Sequence, residues 1–177
     1  SGIINHIVAD QNASVNYNVE EILSILLEKY FDVTWEILAD AMSAEKDEEG
    51  KFYKLYWVLG DMVAYNKFPG LIFKKEHEQT LLNWCAKNPD INAYRLMSIA
   101  PMQNGEAFSD IVIKILNLYG NRNLVLTALG DKLGSFASVG SALPIYDSRI
   151  ELVKTLVNHQ LPEVCACLLY TSPSPRD

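Results

Sequence analysis

The chain has 177 residues, of which 49% are hydrophobic, and its formal net charge is −7 at pH 7. This length and composition allow a hydrophobic core to be buried. The acidic balance disfavours nucleic-acid binding, which needs clustered Lys and Arg, and no apolar run approaches the roughly 20 residues of a membrane span.

One apolar pattern recurs along the chain and predicts five core-facing helices. It consists of two adjacent apolar residues followed by two more four positions on, which form a broad stripe on one helical face. The pattern occurs at Ile22, Leu23, Leu26 and Leu27; at Val58, Leu59, Met62 and Val63; at Leu81, Leu82, Cys85 and Ala86; at Ile111, Val112, Ile115 and Leu116; and at Leu152, Val153, Leu156 and Val157.

A second helix is predicted to follow closely after four of these stripes. Asp32 is a candidate cap for the second helix of the first pair. Ser109 is a candidate cap for a later pair, whose first helix should end at Gly120. The other two pairs should break at residues 88–90 and at residues 161–162, where a proline suits the first turn of a helix.

Residues 44–75 interrupt this rhythm. They begin with the acidic run EKDEEGK, which is typical of a solvated loop. The later part contains Pro69–Gly70, which predicts a turn leading into an extended segment.

Between these features lies a segment dense in aromatic residues. Helical spacing places Phe52 beside Tyr56, and Tyr53 beside Trp57 on an adjoining face. Aromatic residues at this density serve either a core or a recognition surface. We expect Trp57 to lie in the core and Tyr53 to be more exposed. If the segment binds a partner, Tyr53, Trp57 and Tyr65 are the candidate contacts.

Residues 133–144, LGSFASVGSALP, form a second interruption and are interpreted as a linker that could also contact a partner. Ser138 and Ser141 would then lie at the rim of the interface. Neither serine has a nearby His and Asp arranged as a relay, which a nucleophilic serine requires.

The sequence predicts no catalytic, cofactor-binding or metal-binding residue. Its three histidines, at positions 6, 77 and 159, lie too far apart to predict a metal site. Cys85 lies on an apolar helical face and is predicted to be a small buried hydrophobic residue. The stretch GDKLGS at 130–135 lacks the spacing of a phosphate-binding loop and is interpreted as a helix end.

Short antiparallel helix pairs repeated every 30 to 40 residues or so are typical of helical solenoids, and an ordinary helical bundle is the alternative. With these pairs and the segment LPEVCA at 161–166, the chain resembles HEAT-like repeat regions. Residues 76–166 are also similar to helical regions of large bacterial multidomain proteins, including some antiviral-defence NTPases with repeat sensor arms. The resemblance implies an all-α fold of antiparallel helix pairs stacked as an α-solenoid.

Residues 167–177, CLLYTSPSPRD, resemble the translated end of a common transposase-based sequencing adapter. We therefore expect the helical-repeat fragment to cover residues 1–166 and to be cut at both ends from a longer protein. The non-native tail should make no stabilising tertiary contact. Cut ends should expose apolar side chains and cause self-association through Ile3, Ile4, Ile7, Leu156, Val157, Leu161 and Val164.

The expected function is that of a protein-interaction, scaffold or sensor module of a larger cytoplasmic bacterial protein. Its partner would be another protein or a neighbouring domain of the same chain, with no cofactor and no membrane contact. The alternative is the regulatory arm of a multidomain NTPase or effector enzyme whose catalytic domain lies outside these residues.

Overall fold

A computed structural model of the chain describes residues 17–43, 51–60, 67–104, 107–134 and 143–171. Within these ranges the chain is mostly helical, which confirms the all-α prediction. The α-helices are α1 Tyr17–Lys29, α2 Phe31–Met42, α3 Lys51–Leu59, α4 Phe68–Ile72, α5 Glu78–Lys87, α6 Tyr94–Ile99, α7 Asp110–Tyr119, α8 Asn123–Gly134, α9 Leu143–Lys154 and α10 Pro162–Thr171. A 3₁₀ turn at Lys75–His77, a π turn at Pro89–Ala93 and a hairpin of β1 Gln103–Asn104 with β2 Ala107–Phe108 complete the order.

Many residues of the predicted apolar stripes that the structure describes lie in the core. In the second stripe, Met62 and Val63 lie outside the described residues, and in the fifth stripe Leu156 and Val157 follow the end of α9. The adjacent-pair pattern covers about half of a helix circumference, so its central residues face inward and its edges reach solvent. The fully buried members are Leu23, Leu27, Leu59, Leu81, Cys85, Val112, Ile115 and Leu116. Residues at the edges of the stripes are less buried, and Ile22 and Val157 are exposed.

The chain divides into two compact units, an N-terminal unit of residues 1–101 and a C-terminal unit of residues 102–177. In the N-terminal unit, α1 packs on α2 and on α4, and α3 packs on α2, α4 and α6. The single residue Tyr30 joins α1 to α2. Since Tyr30 occupies the N-cap position, Asp32 lies in the first turn of α2 and does not cap it.

Thr34 holds the turn between α1 and α2. Its buried hydroxyl donates to the carbonyl oxygen of Tyr30 at 2.8 Å and lies 3.2 Å from that of Leu26. A hydroxyl that bonds a carbonyl one turn earlier satisfies itself inside a helix. Because Leu26 lies on α1 and Thr34 lies on α2, the contact with the Leu26 carbonyl oxygen links the two helices at their junction.

A series of contacting rings packs α2 against α5 in the same unit. Phe31 stacks on His77, with 3.4 Å between ring centroids, and lies 6.0 Å from Trp35. Trp84 meets Trp35 edge to face at 5.4 Å, an arrangement that suits the quadrupoles of aromatic rings. The indole N–H of Trp84 donates to Ser43 Oγ at 3.0 Å.

The helix break predicted at residues 88–90 is confirmed, because α5 ends at Lys87 and the π turn follows. Asn92 in that turn is buried and donates from Nδ2 to the carbonyl oxygen of Trp84 at 2.9 Å. The bond satisfies a carbonyl that the end of α5 would otherwise leave open.

The prediction of a turn and an extended segment at Pro69–Gly70 is wrong. Both residues lie inside the short helix α4, with Pro69 in its first turn. Proline is tolerated there because the amide it lacks has no intrahelical acceptor. The backbone N–H of Phe73 closes the helix on the carbonyl oxygen of Pro69 at 2.9 Å.

In the C-terminal unit the predicted helix limits are confirmed. Ser109 occupies the N-cap position of α7, although its side chain makes no capping hydrogen bond, and Gly120 ends that helix. Helix α8 then begins at Asn123, and α10 begins with Pro162 and packs against α8.

A histidine organises the chain between α9 and α10. The Nε2–H group of His159 donates to Asn117 Oδ1 at 3.0 Å, and its Nδ1 accepts the backbone N–H of Leu161 at 3.1 Å. These two bonds define the neutral tautomer and attach the turn to the last part of α7.

The predicted apolar patch at the chain's C-terminal end is wrong for Leu156 and Val164. Leu156 and Val164 are buried, and Val164 on α10 approaches Gly120, so of the predicted patch Val157 is the exposed member and Leu161 is half-buried. Helix α10 also continues past residue 166, and the half-buried Cys167 places its Sγ 3.5 Å from the carbonyl oxygen of Leu126. The proline-containing residues 172–177 and the predicted N-terminal patch at Ile3, Ile4 and Ile7 lie outside the described residues.

The close approach of α7 and α10 requires glycine at position 120. A Cβ atom there would lie 2.7 Å from Val164 Cγ2 and 3.2 Å from Leu161 Cδ1, and would also collide with the carbonyl oxygen of Leu116. At Gly134 nothing lies within 4 Å of the same added atom. The two glycines therefore form a matched pair.

We expect Gly120→Ala to lower the free energy of unfolding by about 1–3 kcal/mol through overpacking, measured by urea denaturation. Gly134→Ala should change it by less than about 1 kcal/mol. In a Val164→Ala background the cost of Gly120→Ala should shrink, because the methyl group it strikes is gone. Equal costs in both backgrounds would show that Val164 does not set this contact.

Candidate functional site

Helix α3 presents three aromatic side chains that contact one another, and we call Tyr53, Tyr56 and Trp57 the aromatic patch. Tyr53 is 59% exposed, Trp57 is 37% exposed and Tyr56 is half-buried. Trp57 meets Tyr53 at 6.0 Å between centroids and Tyr56 at 5.9 Å, with interplanar angles of 77° and 75°. Edge-to-face pairs of this kind hold the rings in place before any partner binds.

The opposite side of α3 anchors the helix. Leu55 and Leu59 are fully buried, and Phe52 and Val58 are nearly so. Because a helix turns 100° per residue, these positions face the core while Tyr53 and Trp57 face away from it. The patch therefore stands on a helix that packing keeps rigid.

A buried cation lies beneath this helix. The guanidinium carbon of Arg95, a residue only 4% exposed, lies 4.7 Å from the centroid of the Phe52 ring. Phe52 also contacts Tyr56 at 6.2 Å and Tyr94 at 5.9 Å. A cation over an aromatic face is attracted by the ring quadrupole, so Arg95 ties α6 to α3 directly behind the patch.

The prediction that Trp57 lies in the core is wrong, and the prediction that Tyr53 is more exposed is confirmed. The two interpretations of the aromatic segment apply to different residues, with Phe52 in the core and Tyr53 on the surface. The expected neighbour relations, Phe52 with Tyr56 and Tyr53 with Trp57, are both confirmed.

Of the five predicted contact residues, the structure brings Tyr53 and Trp57 together. Tyr65, Ser138 and Ser141 lie outside the described residues. Tyr56 belongs to the patch but was not predicted as a contact. Its position three residues after Tyr53 and next to Trp57 was the signal that could have identified it.

The other exposed apolar side chains in the described ranges are aliphatic, apart from Tyr30. They are Ile22, Ile25, Tyr30, Val33, Leu118, Leu124, Ile150 and Val157. Exposed aliphatic side chains are normal on a folded protein, whereas a cluster of contacting aromatic rings at the surface is less common. The aromatic patch is therefore the strongest candidate for a binding surface.

The ionisable side chains in the part of the chain that the structure describes do not cluster as metal ligands do. No group of three or more His, Cys, Asp or Glu residues is close enough there to hold a metal ion. Burial raises the pKa of the Cys85 thiol to about 12, so this sulfur stays protonated and is a poor nucleophile. The burial predicted for Cys85 is confirmed.

No helix among the described residues is long and apolar enough to cross a membrane. No protein-family model matches the chain, and no curated protein or solved structure is significantly similar to it.

Tryptophan fluorescence separates the exposed indole from the buried ones. Trp35 and Trp84 are 2% and 5% exposed, against 37% for Trp57. We expect acrylamide to quench the folded protein mainly through Trp57, so that Trp57→Phe removes most of the quenching and Trp84→Phe leaves it. In urea denaturation Trp57→Ala should cost about 1 kcal/mol or less, and Trp35→Ala about 3–5 kcal/mol. A reversed order of costs would place Trp57 in the core.

Thiol labelling tests the burial of the cysteines. Cys85 is fully buried, whereas Cys165 and Cys167 are half-buried, and burial also raises the pKa of the Cys167 thiol. At pH 8 we expect Ellman's reagent to react first with Cys165, more slowly with Cys167, and with Cys85 only after denaturation. Fast labelling of Cys85 in the folded protein, located by peptide mapping, would contradict this assignment.

Proposed function

We propose that the chain is a protein-interaction module, of the scaffold or sensor kind, that binds its partner through the aromatic patch. The observation that carries the proposal is the exposure of Tyr53 and Trp57 on a helix whose other side is fully buried. Tryptophan and tyrosine are the side chains that most often dominate binding energy at protein interfaces.

The construction of the patch supports tight binding. Trp57 is already packed against Tyr53 and Tyr56, so little side-chain entropy remains to be lost when a partner covers it. The tyrosine hydroxyls can bond at the edge of an interface while the rings bury apolar area. A rigid aromatic surface is thus available without rearrangement of the helix.

The proposal extends to the arrangement of the helices. In a solenoid the second helices of neighbouring pairs pack on one another. Helix α10, which follows α9, packs against α8, which follows α7. This contact supports a HEAT-like stacking of two pairs, in a module that we place in the cytoplasm of a bacterium as part of a longer protein.

Affinity capture with matched variants tests the function. Wild-type chain, Trp57→Ala, Tyr53→Ala and the control Leu118→Ala, an exposed apolar residue on α7, are used as baits and bound proteins are compared by mass spectrometry. For a partner enriched on the wild type, we expect Trp57→Ala to raise the measured Kd by about 30-fold or more, as truncation of a hot-spot residue does. Leu118→Ala should bind as the wild type does.

Unchanged melting curves of all four proteins would show that the loss concerns the surface. A partner that binds Trp57→Ala as tightly as the wild type would rule out the patch as the contact.

A further inference from the structure

Helix α2 presents a row of acidic residues to solvent. Asp32, Glu36 and Asp40 are all exposed and follow one another at intervals of four residues, so they lie in one line along the helix. Val33 lies beside this row and is 64% exposed. The sequence of α2 contains no Lys or Arg, so nothing within the helix neutralises the row.

Helix α3 has the opposite charge. Its sequence contains Lys51 and Lys54 and no acidic residue, although the chain as a whole carries a net charge of −7. Lys54 is separated from Trp57 by one helical turn. A basic helix with exposed aromatic rings and an acidic helix with an exposed valine therefore occur in the same unit.

We propose that the partner of the aromatic patch is a second copy of this chain, and that α3 of one copy binds the acidic row of α2 in the other. This inference rests on the proposed function and names its partner. Opposite charges across the contact would select this pairing, since like charges placed together cost binding energy. The ring of Trp57 would bury its exposed face against Val33, which is 64% exposed.

The complementary halves lie on a single chain, so the contact can be made twice between two copies or repeated along a series of copies. It differs from self-association through cut ends, because Leu156 and Val164 of that predicted patch are buried.

Charge reversal with complementation tests this proposal on the full 177-residue chain. Sedimentation velocity over a concentration series would be run on wild type, Lys54→Glu, Glu36→Lys and an equimolar mixture of the two variants. We expect the wild type to associate, each variant alone to associate at least about tenfold more weakly, and the mixture to recover the wild-type behaviour. The recovery follows because Glu at position 54 of one variant meets Lys at position 36 of the other, while the second contact keeps its native charges.

Two controls separate charge from folding. Glu163→Lys changes the charge by the same amount at an exposed position of α10 and should associate as the wild type does. Raising the salt to 1 M should weaken the wild-type assembly, because exposed charges are screened. Circular dichroism melts of Glu36→Lys and Glu163→Lys should match that of the wild type, since both positions are exposed. Recovery of association in the mixture would show that Lys54→Glu is folded.

A wild type that remains monomeric, variants that associate normally, or a mixture that fails to recover would each overturn the proposal. A monomeric wild type whose captured partner is lost with Trp57→Ala would overturn this inference alone and leave the proposed function intact. If Trp57→Ala still associates and still captures the partner as the wild type does, the proposed function and this inference are both overturned.

Discussion

The anchoring of α3 determines what the N-terminal unit presents to its surroundings. Leu55 and Leu59 are buried on one side of the helix, and the Arg95 guanidinium contacts the face of the Phe52 ring. A helix fixed in rotation on one side has no freedom to turn its other side inward. Tyr53 and Trp57 therefore remain on the surface, although each could contribute considerable hydrophobic energy if buried.

Exposure of these rings has an energetic cost that the rest of the unit offsets. The series of contacting rings formed by Phe31, Trp35 and Trp84 already buries large aromatic area between α2 and α5, with edge-to-face and hydrogen-bonded contacts. A core supplied in this way does not need Trp57. An exposed aromatic cluster on a well-anchored helix is thus compatible with stability, and its chemistry suits association with a folded partner.

Several features could be predicted because they depend on local order in the chain. Three of the five apolar stripes lie within the core-facing helices α1, α5 and α7, since a period of 3.6 residues places i, i+3 and i+4 on one face. Gly120 and Pro162 mark a helix end and a helix start through their own backbone chemistry. Pro69 was misjudged because proline suits either a turn or a first helical turn, and only packing of α4 against α1 and α3 selects between them.

The sequence by itself determined the helical fold class, the neighbour relations of the aromatic residues along α3 and the burial of Cys85, since all three follow from helical periodicity. Tertiary structure alone decided which side of α3 faces the core, that Leu156 and Val164 are buried, and that Arg95 lies against Phe52. An amphipathic pattern with aromatic residues on two faces offers more than one apolar side. The choice between them depends on which partner helices arrive to cover each side, and that contact joins residues far apart in the chain.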